Sequence, residues 1–160
     1  MIKTVDRFLD HQTMYRLVLY YLIVLWGTAF TLGFIGLLPH HPVALAFTAA
    51  LSLAACWITN RVFALVFEVP ANSESVYITA LILALILDPV GVADLTGIGA
   101  VAFVSVWAIS SKFIFAVGRK HLFNPAALGV ALSAFLLDQP ATWWIGSNLW
   151  LLPFVLAGGV

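Results

Sequence analysis

Lys112 to Leu128 reads K-F-I-F-A-V-G-R-K-H-L-F-N-P-A-A-L, and it holds three of the chain's seven Lys and Arg residues. Within it, Asn124 suits the position where a side-chain oxygen accepts the free N–H groups of a helix start. Pro125 suits the first helical position, where its missing N–H costs nothing. The stretch therefore predicts a polar turn followed by a helix beginning at Asn124. The sequence on either side is greasy: 63% of residues are hydrophobic, 9% are charged and the mean hydropathy is +1.08. Soluble domains carry about 25% charged residues, so this balance predicts an all-α integral membrane protein.

A spanning helix needs roughly 20 mostly apolar residues. Leu17 to Leu38 meets that requirement and is closed by Pro39, His40, His41 and Pro42. A second run extends from Val43 to about Ile58, with Asn60 and Arg61 at its edge and Val62 to Phe67 as an interfacial extension. Val76 to Leu87, ended by Asp88 and Pro89, is short. Thr96 to Phe115 is long, and Asn124 to Leu137, ended by Asp138 and Pro140, is short again. A sixth run goes from about Trp143 to Val160 and has no polar flank. Six hydrophobic segments in one membrane domain covering residues 1–160 are expected. The missing flank is the mark of a fragment or the N-terminal half of a larger protein.

Lys and Arg concentrate in cytoplasmic loops near span ends. With a cytoplasmic N-terminus and alternating segments, Lys3, Arg7, Arg16, Arg61, Lys112, Arg119 and Lys120 all fall on that side. The opposite side then holds His40, His41, Asp88, Asp94 and Asp138, with Trp143 and Trp144 at headgroup level. A multi-pass protein of the inner (cytoplasmic) membrane follows. Asp6, Asp10 and His11 join the basic residues of the N-terminal flank, which lacks a small-residue cleavage site, so the first segment reads as a retained span. Formal net charge is zero and the isoelectric point is near 6.9, which offers no basic field for nucleic acid. One cysteine, Cys56, excludes an intrachain disulfide, and no Cys/His spacing suits a metal.

The two short segments are about a dozen residues each, too few at ~1.5 Å per residue to cross a core of ~30 Å. They read either as broken helices bordering a site or as short spans in a tilted arrangement. Their ends are alike: A-L-I-L-A-L-I-L-D-P from Ala80 and A-L-S-A-F-L-L-D-Q-P from Ala131.

The stretch S-V-Y-I-T-A-L-I-L-A-L-I-L-D-P from Ser75, then Lys112, then F-N-P-A-A from Phe123, resembles the membrane subunits NqrB and RnfD. These belong to the sodium-translocating NADH:quinone reductase and the Rnf electron-transport complex. The likeness covers Arg61 to the C-terminus, with no gap from Lys112 to Pro125. The resemblance implies the first half of a two-half, urea-transporter-like bundle, and a second half supplied by another subunit, another copy or a continuation. It implies a flavin, FMN or riboflavin, as cofactor, and a reductase domain or other electron-transport subunits as partners alongside membrane lipids. The S-G-A-T type threonine motif that carries covalent FMN in the family does not occur in this sequence. Where the family has a glycine pair linked with quinone access, Ala116 and Val117 stand, and their side chains argue against a quinone at that spot.

Two readings stand beside each candidate residue. Asn124 and Pro125 are either an ordinary helix cap or a helix start turned toward an anionic or carbonyl group of a flavin. Lys112, Arg119, Lys120 and His121 bind a phosphate or an acidic partner surface, or, for the first three, anchor the chain to the cytoplasmic face. Ser75, Tyr77 and Thr79 offer hydrogen bonds to a flavin or quinone carbonyl, or satisfy their own helix backbone. Asp88 and Asp138 precede prolines and read as loop carboxylates. Trp26, Phe30, Phe34, Trp57, Phe103 and Trp107 read as packing or lipid-facing groups.

No nucleophile–base pair and no glycine-rich nucleotide loop is present, so NADH oxidation lies outside these residues. The leading expectation is a non-catalytic membrane subunit or anchor of a flavin-linked electron-transport system. The alternative is half of a channel or permease for a small polar solute, although the long spans read as poor in polar groups.

Overall fold

The computed structural model describes residues 14–70, 73–117, 120–121 and 123–158. Lys3, Asp6, Arg7, Asp10, His11 and Arg119 lie outside the described residues. The structure is helical almost throughout: α1 (Met14–Ile35), α2 (Pro42–Val66), α3 (Ser73–Ile86), α4 (Leu95–Ile114), α5 (Pro125–Leu137), α6 (Trp144–Ser147) and α7 (Leu152–Ala157). A minimal antiparallel ladder, β1 (Ala116–Val117) with β2 (Lys120–His121), joins α4 to α5 and pairs Ala116 with His121. α1, α2 and α4 are long and apolar enough to cross a bilayer. At ~1.5 Å per residue they measure roughly 33, 38 and 30 Å, against about 20 Å for α3 and α5.

Local chemistry sets the ends. α1 closes in a Schellman turn, with Gly36 at φ 82° and the Leu37 N–H donating to Leu32 O at 3.0 Å. Its two threonines satisfy themselves within the helix, Thr28 on Val24 O at 2.9 Å and Thr31 on Gly27 O at 2.8 Å, so neither needs water at membrane depth. His41 caps α2 through Nδ1, which accepts the Val43 N–H, and Pro42 takes the first position. α2 runs on through Val66 as one helix, so the segment expected to stop near Ile58 instead includes the extension. Glu68, at φ 52°, makes its C-terminal turn, and the Val69 N–H returns to Ala64 O at 3.1 Å.

α3 is the centre of the molecule. Ala80, Leu81, Leu83, Ala84, Leu85 and Ile86 are all buried, as expected of a helix that is apolar on every side. One face joins Cys56, Val101, Val104, Ala108 and Ala126 in a core between α2, α4 and α5. The other joins Leu22, Leu25, Ala29, Leu45 and Trp144 in a second core against α1. The end of α3 is sealed by the irregular chain after α5: the N–H groups of Thr142 and Trp143 both donate to Ile86 O, at 3.1 and 3.0 Å. Across from it, the Val90 N–H donates to the buried Thr48 hydroxyl at 2.8 Å.

One expectation is corrected here. The sixth run is not one helix but α6 and α7, because the Asn148 carboxamide accepts the Trp150 N–H at 2.9 Å in a turn and Pro153 starts a new helix. Trp144 is buried with its ring edge on His40 at 5.3 Å, while Trp143, at φ 51°, is exposed.

Candidate functional site

Ser75 stands in the first turn of α3 and Lys112 in the last turn of α4, so consecutive helices meet start to end. The Lys112 ammonium donates to Ser75 O at 2.9 Å, to Ser75 Oγ at 2.8 Å and to Thr79 Oγ1 at 2.8 Å. The Thr79 hydroxyl in turn donates to Ser75 O at 2.9 Å. That last bond commits the threonine's only proton, so its oxygen is left to accept from the lysine. The direction of the network is thereby set. Thr79 therefore satisfies its own helix, and with that proton committed it has none to donate to a flavin or quinone carbonyl; it meets the cleft as an acceptor from Lys112.

Asn124 caps α5: its Oδ1 accepts from the Ala126 N–H at 3.1 Å and the Ala127 N–H at 3.4 Å, and Pro125 has no N–H to satisfy. The cap uses the donors that a helix start otherwise offers to an anion. The cap engages only the oxygen of the Asn124 carboxamide, and the NH₂ is a donor that the cap does not use.

These groups border a single cleft of about 410 Å³. Ser75, Thr79 and Lys112 form its polar side, and Asn124, Pro125 and Ala126 bring the start of α5 to it. Ile78 and Ile82 of α3 and Phe123 supply apolar surface, and Tyr15 of α1 closes the outline. All five residues singled out by sequence, Ser75, Thr79, Lys112, Asn124 and Pro125, are therefore neighbours of one space. Tyr77, half-exposed on the same helix, does not border it.

Tyr15 carried no signal of its own, and Ile78, Ile82 and Phe123 stood within the quoted motifs without being singled out. The isoleucines lie three and seven residues after Ser75, on the helix face that also carries Thr79, and that spacing could have found them.

The cleft is electrostatically one-sided. Glu74, the nearest acidic residue in sequence, is engaged by Arg16 at 3.0 Å. Among the described residues no carboxylate forms an ion pair with Lys112. Lys112 lies partly buried against α3, with its ammonium engaged by Ser75 and Thr79. For Lys120 and His121 the ladder defines the backbone.

A second polar feature lies along α2, where Thr48, Ser52, Cys56, Thr59 and Asn60 share its buried face. Cys56 Sγ approaches Ser105 O of α4 at 3.8 Å. The Ser52 and Ser105 hydroxyls have no hydrogen-bond partner among the described residues. Sequence reading missed this row because its members are small, scattered and separated by Ala and Leu. Comparison of the chain with protein-family models, with curated proteins and with solved structures found no match.

Proposed function

We propose that this chain is a membrane subunit or anchor of a flavin-linked electron-transport system of the NqrB/RnfD type, and that the Lys112 cleft holds non-covalent FMN or riboflavin. The observation that carries the reading is the cleft, where α3, the end of α4 and the start of α5 bring the motif residues together. Its volume of about 410 Å³ falls in the ~300–1,000 Å³ of small-molecule sites. A lining that combines the apolar side chains of Ile78, Ile82 and Phe123 with the donor-bearing side chains of Asn124 and Tyr15 suits a flat ring system with carbonyls along one edge. The flavin supplies the redox chemistry when bound; the chain's part is to orient the ring and exclude water around it.

The wider picture rests on the resemblance and on charge placement. The chain sits in the inner membrane with a cytoplasmic N-terminus, forms half of a urea-transporter-like bundle, and meets a second half and a reductase partner at its Lys112 end. Quinone, as electron acceptor, belongs to the assembled complex.

Asn124 provides the test, because its two roles separate. Asn124→Ser keeps a capping oxygen but removes the amide donor, whereas Asn124→Ala removes both and costs ~1 kcal/mol of stability. The serine variant is expected to melt like the parent and to retain less flavin after purification. Full flavin retention in that variant would withdraw Asn124 from the site. Flavin absent from the parent chain after incubation with FMN and riboflavin would sink the proposal.

The buried polar row on α2 favours a second reading, half of a permease for a small polar solute. Uptake of urea or glycerol by proteoliposomes, abolished by Ser52→Leu, would establish it over electron transfer.

A further inference from the structure

Among the described residues no carboxylate closes the charge of Lys112. Its three N–H donors meet three oxygens, all neutral: one carbonyl and two hydroxyls. Hydrogen bonds of this kind satisfy geometry and leave the unit charge in place. Buried or membrane-level cations are ordinarily paired with an anion, and Glu74 is taken by Arg16. The helix ends deepen the imbalance. The starts of α3 and α5 both border the cleft with their positive dipole ends, while the negative end of α4, which carries Lys112 in its last turn, offsets about one of them.

An anion entering this space meets the ammonium's field, and the residues lining it include Asn124 and Tyr15, whose side chains carry hydrogen-bond donors. The same space is walled elsewhere by Ile78, Ile82 and Phe123, so its occupant has an apolar body as well as a charged head.

We propose that the Lys112 cleft binds a phosphate ester, its anionic phosphate neutralising Lys112 and receiving hydrogen bonds from Asn124 and Tyr15. This rests on reading the cleft as a ligand site and specifies the class of ligand it takes. A phosphate ester reaches such a site from two sources, a soluble phosphorylated molecule or the headgroup of an anionic lipid. The chemistry at Lys112 is the same for both.

The test uses the full chain in nanodiscs of phosphatidylcholine, with and without phosphatidylglycerol, titrated with FMN and with riboflavin, which differ only by the phosphate. Thermal stability is measured alongside. FMN is expected to bind about tenfold or more tightly than riboflavin, as for one charge-assisted contact, with the preference shrinking in high salt. Lys112→Gln should abolish the preference, and Lys112→Arg should keep most of it.

If phosphatidylglycerol competes FMN out, the natural source is the lipid; if it does not, the source is soluble. Equal binding of FMN and riboflavin overturns the phosphate proposal and leaves the flavin reading standing. Binding of neither flavin, with phosphatidylglycerol raising the melting temperature of the parent but not of Lys112→Gln, upholds the phosphate proposal and removes the flavin. Binding of neither, with no lipid effect, overturns both. Should Lys112→Gln fail to fold, the FMN-to-riboflavin ratio and its salt dependence in the parent decide.

Discussion

Thr79 and Lys112 are 33 residues apart and share one hydrogen bond of 2.8 Å, and their energetics should be inseparable. Thr79→Val removes an acceptor from the lysine, and Lys112→Met removes the donor from the threonine. Each single change is expected to cost ~1–3 kcal/mol, for a buried polar group that loses its partner. In a double-mutant cycle the pair should fall short of additivity by ~1 kcal/mol or more, read from reversible unfolding in detergent. Strict additivity would mean that the bond contributes nothing. Sequence reading placed Lys112 among the basic residues of one membrane face, because a lysine near a span end ordinarily extends to the surface. What turns it inward is the pair of oxygens that α3 presents one helical turn apart.

Gly129 shows how little room the α4–α5 contact leaves. A Cβ added there would lie 2.7 Å from Val104 O and 3.1 Å from the Ala108 Cβ, backbone and a methyl that cannot swing aside. Gly129→Ala is expected to push the helices apart and cost ~1–3 kcal/mol, with loss of any ligand bound at the start of α5; a melting temperature equal to the parent's would contradict the packing. The opposite sign is expected at the end of α2. Glu68 is exposed and held at φ 52°, a conformation that disfavours any residue with a Cβ by ~1 kcal/mol. Glu68→Gly should therefore stabilise the chain by up to that amount, checked by the shift in unfolding midpoint.

The chain's last described helix is tied to its first across the whole molecule. Tyr21 of α1 donates to Phe154 O of α7 at 2.9 Å, and a Cβ added at Gly158 would collide with the hydroxyl end of the Tyr21 ring. Tyr21→Phe keeps the ring contact and removes the bond, so α7 should open more readily, by ~1 kcal/mol. Limited proteolysis between residues 148 and 158 in detergent is expected to speed up several-fold. Topology has its own check. In a Cys56→Ala background, single cysteines replacing His40 and Lys120 should be labelled from opposite sides of intact cells, Lys120→Cys from the cytoplasm alone. Labelling of that position from outside would reverse the arrangement.

Composition was enough to predict helices long and apolar enough to cross a bilayer, because such runs are visible one residue at a time. The caps were legible for the same local reason: Asn124 and Pro125 act within three residues of themselves. The short length of α3 and α5 was also written in the spacing of Asp88, Asp138 and their prolines. Three things depended on the chain meeting itself: the inward lysine, the burial of Trp144 against His40, and the polar row of α2 facing Ser105. Each joins groups far apart in sequence, and each is decided by which helix faces pack together. Hydrophobic periodicity could not choose among those pairings, since helices as uniformly apolar as these look alike from every side.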